Sequence, residues 1–155
     1  GFSLVRKVFL EIAGKSLNDS AWKGSESTLG EKLLEPSVIY APTILNVLKE
    51  NEVHAIAHIT GGGLPENVSR VLGKSFNAVI HQSSWEIPRI FSEIQTLGSI
   101  DIDEMFRVFN MGIGMILIVP PNSTDQVLEE LTKHKKPACV IGEIVEGSCQ
   151  VEILR

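Results

Sequence analysis

The run His58-Ile59-Thr60-Gly61-Gly62-Gly63-Leu64-Pro65-Glu66-Asn67 constrains this chain more than any other. A hydrophobic alternation from Val53 to Ile59 leads into it, and Pro65 marks the first turn of a helix behind it. Strand, three glycines, helix start: in that order the backbone forms a concave surface beside a helix N-terminus. Glycines without Cβ let several N–H groups face one point, and the helix dipole adds partial positive charge there. An anion, most often a phosphate, suits such a surface. A tight strand-to-helix turn that binds nothing is the other reading. Two familiar phosphate motifs are excluded. A P-loop continues Gly-Lys-Ser/Thr, whereas Gly63 is followed by Leu64 and Pro65. A dinucleotide fingerprint opens a helix after a strand, whereas Gly112-Ile113-Gly114 precedes a hydrophobic run.

The 155 residues suffice for one domain, 1–155, with a sizeable core. A hydrophobic fraction of 43% and a charged fraction of 21% place it among soluble globular chains. A net charge of −5 offers no basic footprint for nucleic acid or an anionic membrane. No apolar run approaches the roughly 18 to 20 residues of a membrane span. Cys139 and Cys149 are too few for a zinc site or a disulfide framework, which fits a reducing cytosol and a cytoplasmic protein. No targeting segment is read. The chain opens Gly1-Phe2-Ser3-Leu4-Val5 without Met, and a helix begins almost at once. We read it as a piece of a longer polypeptide.

Val5, Val8, Phe9 and Ile12 keep helical spacing up to Gly14. Lys15 to Ser27 is a polar surface loop with Trp22 as its anchor, and Thr28-Leu29-Gly30-Glu31 is a capping box for a short helix ending at Pro36. Pro42 opens a helix with Ile44, Leu45 and Leu48 inward. After the glycine loop come a helix from Pro65 to Leu72 closed by Gly73, a strand from Phe76 to His81, and a helix from Pro88 to Gly98 striped by Ile87, Ile90, Phe91, Ile94 and Leu97. Asp101 and Glu104 cap the next helix, Met115 to Val119 is a buried strand, and Ser123 and Gln126 cap a helix through Leu131. Ala138 to Val145 and Cys149 to Leu154 close the chain as strands. From the first strand the order is β-α-β-α-α-β-α-β-β. It predicts an α+β domain, a mixed β-sheet with helices packed on it in three α/β/α layers, partly ferredoxin-like.

Candidate chemistry gathers around the glycines. His54 and His58 are too far apart on one strand, about 13 Å, to share a metal ion, and no metal site is expected. His58, at the strand's end beside the loop, is either a structural histidine or a general acid–base or phosphate contact. Asn67 can hydrogen-bond a substrate. Arg70 can neutralise phosphate if it points back at the loop, or else it is an exposed helix charge. Asn110 before Gly112 and Gly114 reads as a cleft wall or as a strand-entry turn capped by Asn110. Lys133 to Lys136 is a solvated helix end.

Taken in order, Gly1 to Lys7, Thr28 to Glu31, His54 to Asn67, Trp85-Glu86-Ile87-Pro88, Phe106 to Met115 and Val140-Ile141-Gly142 resemble the C-terminal half of the aminoimidazole ribonucleotide synthetase family, the phosphoribosylformylglycinamidine cyclo-ligases. The resemblance spans nearly the whole chain. It implies ATP-dependent ring closure of formylglycinamidine ribonucleotide to aminoimidazole ribonucleotide in purine biosynthesis, by a homodimer. ATP and Mg²⁺ would be held mainly by an N-terminal domain not in this chain, and this piece alone would be inactive. It further implies that His58 assists the chemistry, that Gly61, Gly62, Gly63 and Asn67 line the cleft, and that Asn110, Gly112 and Gly114 form the opposite wall. Two positions depart from the family: Val38 stands where an arginine is usual in Pro36-Ser37-Val38-Ile39-Tyr40, and Cys139 where Trp is usual. The first favours an alternative, a non-catalytic binding module of the same fold; a related ATP-dependent enzyme with another substrate is a third reading. A domain without its partner half should expose an apolar patch, near Val5, Val8 and Phe9 or near the strand at Met115.

Overall fold

Helix α1, Phe2–Arg6, runs without a break into a π-wound segment, Lys7–Ile12, in the computed structural model, which describes all of residues 1–155. Val5, Val8 and Phe9 face the core as their spacing predicts. Ile12 does not; the wider π turn carries it off the stripe into solvent. Gly14 leaves the helix at a positive φ of 63°. The loop that follows is held less by Trp22 than by fully buried Ala21, while Lys15 Nζ donates to the carbonyls of Ser20 and Ala21 at 3.1 and 2.8 Å. Trp22 is half-buried beneath the cations of Arg89 and Lys32. Helix α2, Leu29–Leu33, opens with the predicted capping box: Thr28 Oγ1 accepts from Glu31 N at 3.2 Å, and Thr28 N donates to Glu31 Oε2 at 2.8 Å.

Helix α3, Ala41–Glu50, has Pro42 in its first turn and buries Thr43, Ile44 and Val47. That inward row leaves Leu45 and Leu48, both expected inside, on the outer face at 60% and 43% exposure. Strand β1, Ala55–His58, enters the glycine loop, and α4, Gly63–Ser69, begins two residues before the predicted Pro65. Strand β2, Phe76–His81, and helices α5, Arg89–Gly98, and α6, Ile102–Val108, follow the expected bounds closely. Asp101 caps α6 by accepting from Asp103 N at 2.8 Å; Glu104 instead pairs with Arg107 at 3.2 Å. Strand β3, Met115–Ile118, is half-buried rather than buried. Helix α7, Thr124–Lys133, follows a turn at Pro121–Ser123 that leaves Ser123 helical, so neither Ser123 nor Gln126 caps it. Strands β4, Gly142–Glu146, and β5, Val151–Leu154, close the chain.

The element order is the one the sequence predicts, and the α+β class holds. The mixed sheet has three strands, ordered β4-β2-β5, with β2 antiparallel to β4 and parallel to β5. β1 and β3 form a second, antiparallel ladder, with Ala55 opposite Ile118 and His58 opposite Met115. The two sheets meet in one core, where Ala57 and Ile59 from the ladder join Ala78 and Ile80 from the mixed sheet and Val8, Phe9, Leu64, Met105 and Phe106 from the helices. A satellite core of Val47, Val127 and Leu131 ties α3 to α7 under Leu117. The ladder thus packs on the main core through Ala57 and Ile116, and on the satellite core through Leu117.

Candidate functional site

Antiparallel pairing of β1 with β3 brings the two glycine-bearing segments to one end of the ladder. The strand before the glycine loop and the strand after Gly112-Ile113-Gly114 run side by side, and Ile59 N donates to Gly114 O at 3.0 Å. The segments are thus neighbours, not facing walls. Asn110 to Ile113 form a tight turn closed by Ile113 N to Asn110 O at 2.9 Å, with Met111 and Gly112 at φ of 51° and 100°. Asn110 Oδ1 accepts from Gly112 N at 3.0 Å, the local cap foreseen as one of its two readings. Trp85 Nε1 donates to Met111 O at 3.0 Å and pins the turn to the body.

The three loop glycines differ in what they need. Gly62, at φ 95°, is the left-handed residue that starts α4. Gly63, at φ 60°, is buried, and a methyl there would strike the Phe106 carbonyl and lie 3.0 Å from Phe109 O. Gly61 is exposed, with nothing within 4 Å of where a Cβ would stand. Two glycines therefore serve the backbone and its packing on α6, and Gly61 alone faces open space. Gly63 N closes the turn on Thr60 O at 3.1 Å, whereas the N–H groups of Thr60, Gly61 and Gly62 donate to no backbone oxygen.

Asn67 is buried behind the loop, and its amide is committed there. Nδ2 donates to the carbonyls of Thr60, Gly61 and Gly63 at 3.3, 3.2 and 2.8 Å, and Oδ1 accepts from Thr60 Oγ1 at 3.3 Å. It shapes the cup from the inside. Arg70 does point back: Nη1 donates to Asn67 Oδ1 at 3.3 Å, while Nη2 pairs with Glu66. Beyond Gly62, a groove of about 480 Å³ between α4 and α6 holds Glu66, Ser69, Glu104 and Arg107 among its lining, and of the predicted site residues it reaches Gly62 alone.

His58 is exposed at the ladder's end, and its ring meets Tyr40 edge-on, with centroids 6.0 Å apart and planes at 67°. Burial pushes the Tyr40 phenol above its ordinary 10.0, so it stays neutral at physiological pH. Tyr40 was not among the expected site residues; its signal lay in the Pro36 to Tyr40 segment, which carries it to the start of α3. His54 turns away to Glu52 at 3.0 Å. No three His, Cys, Asp or Glu side chains converge on one point. No helix is long and apolar enough to cross a membrane. Both cysteines are free.

This α+β domain, with a glycine cup at the end of a two-stranded ladder, has the architecture of a larger group of solved proteins. Thiamine-monophosphate kinase from Stenotrophomonas maltophilia superposes with a TM-score of 0.65 at 17% identity, over 97% of this chain and 46% of that one. HypE from E. coli, a hydrogenase maturation protein, superposes with a TM-score of 0.59 at 24% identity, over 75% and 36%. At these identities the likeness is one of fold. Residues 1–153 match the family described as AIR synthase related protein, C-terminal domain, and the chain belongs to that family. It is 44% identical over 152 residues to the phosphoribosylformylglycinamidine cyclo-ligase of Geotalea daltonii, and 48% identical over 147 residues to that of Pseudothermotoga lettingae. The matches cover 98% and 95% of this chain but 43% and 42% of those proteins, so the chain spans less than half the length of these relatives.

Proposed function

We propose that this chain is the substrate-side, C-terminal domain of an ATP-dependent cyclo-ligase that converts formylglycinamidine ribonucleotide to aminoimidazole ribonucleotide. The observation that carries the reading is the 44% identity to a cyclo-ligase across 98% of the chain, within which both glycine segments are brought to one ladder end. In this reading the γ-phosphoryl of ATP passes to the formyl oxygen, the amidine nitrogen attacks that carbon, and phosphate departs with the oxygen as the ring closes. The exposed His58 imidazole is the group that takes the proton from the attacking nitrogen. The free N–H groups of Thr60, Gly61 and Gly62 face the phosphorylated substrate, with Gly61 offering the closest approach. Asn67, Arg70 and the Asn110 turn with Gly112 and Gly114 hold that surface in shape. ATP and Mg²⁺ are assigned mainly to an N-terminal domain of the full-length protein, a homodimer of the cytoplasm.

A second reading, a binding module that has lost its chemistry, is favoured by Val38 alone; it is 49% exposed and makes no polar contact where the family usually has arginine. The full-length protein decides between them. Incubated with ATP, Mg²⁺ and formylglycinamidine ribonucleotide, it should release aminoimidazole ribonucleotide and ADP in equal amounts. Substrate binding without turnover would establish the module instead.

A further inference from the structure

We infer that Tyr40 is the positioning residue for His58, holding the imidazole edge-on at the open end of the β1–β3 ladder in a space that Gly114 keeps clear. The inference deepens the proposed function and rests on His58 being its acid–base group.

The first observation concerns what holds the ring. His54 and His134 are each oriented by a carboxylate, Glu52 at 3.0 Å and Glu130 at 3.1 Å. His58 has no hydrogen-bond partner in the chain; it has the edge contact with Tyr40, at a centroid separation inside the usual aromatic range of about 4.5–7 Å. A carboxylate that orients an imidazole occupies one of its nitrogens. An aromatic edge orients the ring and leaves both nitrogens open to substrate and solvent, the arrangement a proton carrier at an exposed strand end needs. The phenol stays neutral there, so it adds no charge beside the imidazole.

The second observation concerns Gly114. Its backbone lies outside the positive-φ region, so its conformation is open to any residue. What excludes a side chain is Tyr40: a methyl would overlap the phenol oxygen and stand 2.9 Å from Cζ and 3.3 Å from Cε2. Gly114 is a glycine on account of Tyr40, in contrast to Gly62 and Gly63, whose φ demands one. The two residues come from distant parts of the chain, and their fit places the phenol beside His58.

The test uses the full-length protein with isotope-labelled histidine, the His58 resonance being assigned by its loss in His58→Ala. In Tyr40→Leu and in Gly114→Ala the His58 ring signals should move toward the position of a solvated histidine, and in Tyr40→Phe they should stay near wild type. Turnover should follow: Tyr40→Leu lowers kcat on the order of 10- to 10²-fold with KM for the phosphorylated substrate little changed, Tyr40→Phe restores it, and Tyr40→Leu adds nothing in a His58→Ala background. Unmoved His58 signals in Tyr40→Leu overturn the inference. So does a kcat loss as large in the His58→Ala background as in wild type. If His58→Ala alone leaves kcat intact, the acid–base reading falls by itself, and the resonance shifts still decide whether Tyr40 holds the ring.

Discussion

At Gly61 a methyl group meets no atom within 4 Å and no forbidden φ, and this separates it from its two neighbours. On the proposed function, Gly61→Ala in the full-length protein should fold with an unchanged melting temperature and raise KM for the phosphorylated substrate, because the new methyl can obstruct only a ligand. A normal KM would return the loop to a plain strand-to-helix turn. Gly63→Ala should behave in the opposite way. With φ at 60° and the Phe106 carbonyl in the path of the methyl, it should cost about 1–3 kcal/mol of stability whether or not ligand is present. Gly62→Ala mixes the two effects, since its φ of 95° strains any side chain and the methyl meets Glu66. His58→Ala, at an exposed site, should leave the fold intact while lowering turnover by about 10²–10⁴-fold if the imidazole carries a proton in the reaction.

Among the elements, α2 and α7 show how local chemistry sets stability. The reciprocal capping box at Thr28 satisfies two backbone donors. Thr28→Ala should cost about 1 kcal/mol, a fall in melting temperature of about 2–4 °C for a domain of this size. At the end of α7, hydrogen bonds from Lys133 and then His134 hold the Glu130 carboxyl below its ordinary 4.5. A carboxyl held low in the fold favours the native state above the unfolded value and loses that contribution as pH falls through the folded one. Glu130→Gln should therefore lower the melting temperature slightly at neutral pH, and the difference from wild type should shrink as the pH falls below the ordinary carboxyl value and vanish once it has passed the lowered one. A gap that persisted in acid would mean that Glu130 acts through packing. Helix α3 marks a limit of periodicity. Ile44, Leu45 and Leu48 satisfy one helical stripe, but the buried row is Thr43, Ile44 and Val47, with Val47 packed on Val127 and Leu131 of α7.

On the scale of the whole molecule, the N-terminal helix, near which an apolar patch was expected, does expose Phe2 and Ile12, at 65% and 55%, although not the residues that named it. Val5, Val8 and Phe9 are buried, and the strand at Met115 is half-covered by the two cores. Leu34, Val38, Ile39, Leu45 and Leu48 form a second, unexpected exposed group, within a short span of chain leading into and along α3. With much of the nucleotide machinery assigned to an N-terminal domain, calorimetry on this chain alone should show ATP-Mg²⁺ binding weak or absent. Micromolar affinity would overturn that division of labour. The sequence by itself determined the order of the elements, the capping box, the bounds of β2 and the position of the glycine loop, because each depends on residues within a few positions of one another. Its family motifs also named His58 and the two glycine segments. Only the tertiary structure decided that β1 and β3 leave the mixed sheet to form their own ladder, bringing those segments side by side. It alone showed Asn67 turned inward to the loop carbonyls, Gly114 emptied for Tyr40, and α3 rotated to leave Leu45 and Leu48 outside. Each of these depends on which distant surface fills the space opposite, and that information is spread across the chain rather than held in any local pattern.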